Sequence, residues 1–161
     1  MNELRPCRLA DIRPAHIHDI AALEQCCFPT PWSPAACGAE LGVAGGGGYA
    51  AVRDDMAGIA GYLFFRVIID EMHILKIATD PASRNRRIAS ALLQKAIDLA
   101  REKGLQRICL EVRASNTAAV NLYRKFDFVL SGTRSGYYDN REDALLMTKN
   151  IEEGMTTWQR Q

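Results

Sequence analysis

Three arginines, Arg84, Arg86 and Arg87, crowd a short polar stretch that follows an apolar segment and precedes an amphipathic one. A guanidinium offers paired N–H donors that match the oxygens of a phosphate. If the amphipathic segment is a helix, its first amides are unpaired and carry partial positive charge, which also favours a phosphate. Arginines and free amides together suit a pyrophosphate. The same residues also fit a solvated basic loop; their position straight after an apolar strand favours the ligand-binding reading. A second group is Glu111, in the run Arg107-Ile108-Cys109-Leu110-Glu111-Val112-Arg113. Alternation there puts Glu111 on the face opposite Ile108, Leu110 and Val112, where a carboxylate reaches either a cleft or solvent.

These groups need a scaffold, and the hydrophobic pattern supplies one. Arg8 to Ile12 reads as a first strand. Ile20, Leu23 and Cys27 fall on one helical stripe, and Pro29 and Pro31 stop that helix. Ser33-Pro34 restarts a short helix to about Leu41, with Ser as N-cap and Pro at the first helical position. The glycine run Gly45 to Gly48 reads as a flexible connection, or as a mobile loop beside a substrate site. Tyr49 to Arg53, Ile59 to Ile69 and Met72 to Ala78 read as strands, with turns at Asp54 to Gly58 and at Asp70-Glu71.

The basic loop Thr79 to Arg87 then leads into a helix from Ile88 to Lys103, with Ile88, Leu92, Ala96 and Leu99 as its apolar stripe and Gly104 as its stop. Arg107 to Arg113 is a strand. Ser115 or Asn116 caps a helix carrying Ala119, Val120, Tyr123 and Phe126. Phe128 to Arg134 and Ala144 to Thr148 close the sheet, and the tail after Ile151 is polar, with Trp158 in it. This order implies an α/β (α+β) architecture: one mixed sheet of six or seven strands, flanked by helices on both faces, in a single domain over residues 1–161.

Composition narrows the function classes. Twenty Lys and Arg stand against 19 Asp and Glu, which argues against a broad nucleic-acid footprint. No apolar run reaches the roughly 20 residues that span a bilayer, and the first residues lack a signal-peptide core, so the expected location is the cytoplasm. Five cysteines, an odd number without C-x-x-C spacing, do not suggest a disulfide framework or a zinc site. Cys26-Cys27 reads as packing at a helix end, with a redox or nucleophilic pair as the alternative. His16, His18 and His73 have no metal-ligand spacing, so no metal is expected.

The stretch Arg84-Asn85-Arg86-Arg87-Ile88-Ala89 resembles the acetyl-CoA loop of the GNAT superfamily, Q/R-x-x-G-x-G/A, with Arg87 in place of the middle glycine. Leu110-Glu111-Val112-Arg113-Ala114-Ser115-Asn116, followed by Ala118-Ala119 and Leu122-Tyr123, is similar to the RimI-type ribosomal-protein-alanine N-acetyltransferases. So are Tyr137-Tyr138 with Arg141-Glu142-Asp143-Ala144, and Phe28-Pro29 with Pro31-Trp32-Ser33. The resemblance runs from about Ile12 to Met147. A second departure is Asp127, where that family carries glycine.

The resemblance implies acetyl-CoA as co-substrate and transfer of its acetyl group to a protein N-terminal amine, possessed of an N-terminal Ala and belonging to a ribosomal protein. A free α-amino group has a pKa of about 7.7–8.0 and must lose its proton, while the departing thiolate must gain one. By the family match Glu111 is the general base, directly or through water, and Tyr123 the general acid. The backbone of Ile77, Ala78 and Thr79 would hold the pantetheine arm. Arg84, Asn85, Arg86, Arg87, Ile88, Ala89 and Ser90 would hold the diphosphate, and Asn116 and Tyr123 are further cofactor contacts. Trp32 and Tyr138 are the expected acceptor-side residues. The partners expected are acetyl-CoA and a protein N-terminus, with neither nucleic acid nor membrane, and the chain is expected as a monomer or weak dimer. Two alternatives stand: a small-amine acetyltransferase acting on a polyamine, amino acid or antibiotic, and an inactive CoA-binding module, suggested by Arg87 and Asp127.

Overall fold

A computed structural model describes residues 7–54, 58–139 and 141–151. Among these, seven strands form one mixed sheet in the order β1-β2-β3-β4-β5-β7-β6: β1 Cys7–Asp11, β2 Gly46–Arg53, β3 Ile59–Ile68, β4 Glu71–Thr79, β5 Arg107–Arg113, β6 Val129–Arg134 and β7 Ala144–Asn150. Four α-helices accompany them: α1 Ile17–Cys27, α2 Pro34–Glu40, α3 Ile88–Glu102 and α4 Thr117–Lys125. The expected mixed α/β sheet is therefore present, in its seven-stranded form. The turn proposed at Asp54 to Gly58 and the tail with Trp158 lie largely or wholly outside the described residues.

The chain divides into two compact units. The first comprises 1–68 and 73–96, the second 69–72 and 97–161. In the first unit, β1 to β3 form an antiparallel meander, with Leu9 opposite Ala51 and Ala50 opposite Tyr62. Ile20 and Leu23 of α1 pack with Ile12, Tyr62, Phe64 and Ala78 in its core. Ser33 caps α2 through its side-chain oxygen, which accepts from the Ala36 amide at 3.1 Å, as Ser-Pro implies.

The glycine run corrects the expectation of a flexible connection. Gly46, Gly47 and Gly48 already belong to β2, which starts before Tyr49. A Cβ on Gly48 would lie 2.4 Å from the Leu63 carbonyl oxygen and 2.6 Å from Ile12 Cδ1, so only glycine lets the strands approach there. The Asp70-Glu71 turn is also shifted by one: Ile69 and Asp70 make it, and Glu71 begins β4. Ile69 is 93% exposed with φ 57°, a left-handed conformation that a β-branched residue rarely adopts.

The buried stripe of α3 is Ile88, Leu92, Leu93, Ala96, Ile97 and Ala100; Leu99, expected on it, is only half-buried. The helix ends at Gly104, with φ 65°, as expected. In the second unit, β7 pairs antiparallel with both β5 and β6, placing Glu111 opposite Leu146 and Leu146 opposite Gly132. Ile108, Leu110 and Val112 are buried and Glu111 faces away from them, as the alternation required. Asn116, rather than Ser115, caps α4, its Oδ1 accepting from the Ala119 amide at 3.2 Å.

Candidate active site

The first unit carries the loop between β4 and α3. Ile77, Ala78 and Thr79 form the end of β4, and Ile88, Ala89 and Ser90 the first turn of α3, with Arg84 to Arg87 between them. Arg84, Asn85 and Arg87 are exposed and Arg86 is half-exposed, so their polar groups reach solvent as a phosphate ligand requires. The two departures from glycine have a shared geometry: Arg87 has φ 59° and Asp127 has φ 64°. Each holds the left-handed backbone that glycine adopts without strain. Asn85, with φ 62°, bends the loop in the same sense.

A residue that the sequence did not single out holds the start of this loop. Arg53, at the end of β2, donates to Asp80 Oδ2 at 2.5 Å, to Ser83 Oγ at 3.0 Å and to the Ile59 carbonyl at 2.8 Å. Burial alone would raise the Asp80 carboxyl pKa; the Arg53 and Ala82 hydrogen bonds and the charges of Arg53 and Arg84 outweigh it and hold the group below its ordinary value. Cys26 is exposed, against the packing expected of it. The Cys27 thiol donates to the Thr79 carbonyl at 3.6 Å, and burial pushes its pKa up, with Arg84 only partly opposing. A thiol so held is a poor nucleophile.

Trp32, the expected acceptor-side residue of this unit, is anchored by a second unanticipated group. Glu24 lies fully buried on α1. Its carboxylate accepts from the Trp32 amide at 2.7 Å, from the Tyr62 hydroxyl and from Lys76 Nζ at 3.0 Å. Lys76 Nζ in turn sits 3.8 Å from the centroid of the Phe28 ring and 5.0 Å from that of Trp32. Nothing in the sequence links Glu24 to Lys76, 52 positions away, so the pair escapes a reading of the sequence alone.

The second unit carries Glu111 on β5, Tyr123 on α4 and Tyr138 between β6 and β7. Tyr123 is buried on α4, its ring 5.8 Å from Phe128. Burial, and secondarily Tyr138, raise its phenol pKa well above the ordinary value, which keeps it protonated. Burial also raises Tyr138; the Arg113 charge lowers it, and Glu111 raises it further. Arg113 stacks on Tyr138 at 3.9 Å and pairs with Glu142 at 3.3 Å, while Glu142 accepts from the Ser115 amide at 2.7 Å. Arg134 pairs with Glu111 at 3.4 Å, and its guanidinium lies 5.4 Å from the Tyr137 ring. Asn116 belongs to the same unit, where its side-chain oxygen serves the α4 cap.

Among the described residues no cluster of His, Cys, Asp and Glu could hold a metal ion, and no helix is long and apolar enough to cross a membrane.

The sequence model of the acetyltransferase (GNAT) family matches residues 17–128. A Bacillus subtilis (strain 168) protein named as a candidate ribosomal protein bS18-alanine N-acetyltransferase is 36% identical over 151 residues, covering 93% of this chain and 96% of its own. The Escherichia coli (strain K12) ribosomal protein bS18-alanine N-acetyltransferase is 38% identical over 96 residues, 58% of this chain and 65% of its own. The crystal structure of the ribosomal-protein-S18-alanine N-acetyltransferase from Escherichia coli superposes with a TM-score of 0.84 at 26% identity, over 94% of this chain and 97% of that one. Arabidopsis thaliana NAA60 in complex with acetyl-CoA shares the fold, with a TM-score of 0.79 at 17% identity over 90% of this chain and 98% of that one. The chain belongs to the acetyltransferase (GNAT) family, and its relatives there include the ribosomal-protein-alanine N-acetyltransferases. It is an N-acetyltransferase with acetyl-CoA as acetyl donor.

Proposed function

We propose that the chain acetylates the N-terminal α-amine of a protein, a ribosomal protein beginning with alanine, in the cytoplasm. The observation that carries this reading is the placing of Glu111 on β5, ion-paired to Arg134 at 3.4 Å, in the same unit as Tyr138, whose ring stacks on Arg113 of that strand at 3.9 Å, and as Tyr123 on α4. Glu111 takes the proton of the attacking amine, directly or through water, and Tyr123 gives one to the departing CoA thiolate. Transfer is direct, without an acyl-enzyme. The loop Thr79 to Ser90 binds the diphosphate through Arg84, Arg86, Arg87 and the first amides of α3. Tyr138 is the acceptor-side residue of the unit that holds Glu111. Relatives named for acetylating the alanine of bS18 support the choice of acceptor.

Thiol release from acetyl-CoA, measured with a peptide beginning Ala-Arg, a peptide beginning Met, a lysine-bearing peptide with a blocked N-terminus and small amines, tests the reading. Turnover is expected with the Ala-Arg peptide above all others. Acceptance of the lysine side chain alone, or of small amines alone, would overturn it.

A further inference from the structure

Arg53, on β2, lies 27 positions before its partner Asp80, which follows the end of β4, yet it spends three hydrogen bonds on the segment that opens the β4–α3 loop and on β3. Asp80 is fixed at every polar atom. Its amide donates to the Ala60 carbonyl at 2.8 Å, its carbonyl accepts from the Ser83 amide at 2.7 Å, and Oδ1 accepts from the Ala82 amide at 3.0 Å, while Oδ2 takes Arg53. Ser83, the other acceptor of the same guanidinium nitrogen, is buried. Of the residues that follow, Arg84, Asn85 and Arg87 are exposed and Arg86 is half-exposed, and Asn85 and Arg87 are left-handed. The loop is therefore anchored at Asp80–Ser83 and again at the start of α3, with the arginine-bearing segment slung between.

We propose that Arg53 is a positioning residue for acetyl-CoA: it fixes the start of the β4–α3 loop and neutralises the Asp80 carboxylate beside the phosphate-binding segment. This rests on the reading that the loop holds the diphosphate. Two physical effects combine. A loop already ordered loses less conformational freedom when ligand binds. An Asp80 carboxylate without its guanidinium would place an uncompensated negative charge next to the segment that must accept an anion. The fork geometry of arginine suits this task, since one planar group reaches a carboxylate, a hydroxyl and a carbonyl at once.

The test compares steady-state kinetics for Arg53→Gln, Arg53→Lys, Asp80→Asn and the Arg53→Gln/Asp80→Asn double variant, with Arg84→Ala as a probe of the loop itself. Arg53→Gln should raise the KM for acetyl-CoA about tenfold, the scale of one charge-assisted hydrogen bond, with kcat at saturation and the KM for peptide little changed. Arg53→Lys, which keeps the charge, should raise it less. The double variant should recover part of the loss, because it removes the stranded carboxylate. A merely structural arginine would lower the melting temperature and the active fraction but leave the acetyl-CoA KM unmoved, and that result would overturn the proposal. If Arg84→Ala raises that KM while Arg53→Gln does not, the clamp alone is wrong. If neither raises it, the loop is not the diphosphate site and both readings fall. Should Arg53→Gln fail to fold, Arg53→Lys and Ser83→Ala, each removing part of the contact, carry the same comparison.

Discussion

Arg134 Nε lies 3.4 Å from Glu111 Oε1, so the carboxylate assigned as general base already has a cationic partner before any amine arrives. Removing the base and removing its partner must have different consequences. Glu111→Gln should lower kcat at least about 100-fold, the usual range for a general base, and leave the KM for acetyl-CoA within about twofold. Arg134→Gln breaks only a half-exposed ion pair of a kind that contributes up to about 1 kcal/mol, so kcat should stay within about fivefold. Equal losses in the two variants would take the base role away from Glu111.

Tyr123→Phe keeps the ring that packs on Phe128 and deletes the hydroxyl. Melting behaviour at neutral pH should be close to that of the parent chain. Turnover should fall about 10- to 100-fold, because the thiolate then leaves without a proton donor. Replacing acetyl-CoA by a thioester of a more acidic thiol should shrink that deficit. A deficit independent of the leaving group would assign Tyr123 to packing.

Arg87→Gly should move stability and cofactor binding in opposite directions. At φ 59° an arginine is strained where glycine is not. Relief of that strain, less the added freedom of glycine in the unfolded chain, should raise stability by about 1 kcal/mol, or about 2–4 °C in melting temperature. Loss of one guanidinium should raise the KM for acetyl-CoA. A variant that is both more stable and unchanged in KM would remove Arg87 from the diphosphate site.

Alkaline conditions should destabilise the fold in a defined window. Burial, and for Tyr62 also its hydrogen bond to Glu24, raises the phenol pKa of Tyr62 and Tyr123 above the ordinary 10.0. Above that pH the unfolded chain gives up these protons while the folded chain retains them, so stability is fully present below pH 10 and declines as pH rises beyond it. Denaturant midpoints measured from neutral to strongly alkaline pH should show the decline, and Tyr123→Phe should flatten it. An identical slope in the variant would place the effect elsewhere.

What the sequence disclosed follows from how local each signal is. The face of Glu111 was readable because alternation along β5 is a property of seven consecutive residues. Ser33-Pro34 announced α2, and Gly104 the end of α3, through capping chemistry contained within a turn. The glycine run misled because the same residues serve flexible loops and tightly packed strands; the carbonyl of Leu63 that demands Gly48 is distant in sequence. Arg53 with Asp80, and Glu24 with Lys76, were invisible for the same reason. A lone charged residue reads as solvated until its distant partner is placed beside it.

The contact between the buried Glu24 and the largely covered Lys76 restricts how this chain can change. Deleting Lys76 leaves the buried Glu24 carboxylate with the Trp32 amide and the Tyr62 hydroxyl but no counter-charge, an outcome worse than losing the attraction itself. Single substitutions at these two positions therefore carry a cost, and at Glu24 the Trp32 amide and the Tyr62 hydroxyl also lose their acceptor. Variation in this corner should arrive in matched pairs, and the setting of the Phe28 and Trp32 rings is settled when the polypeptide folds.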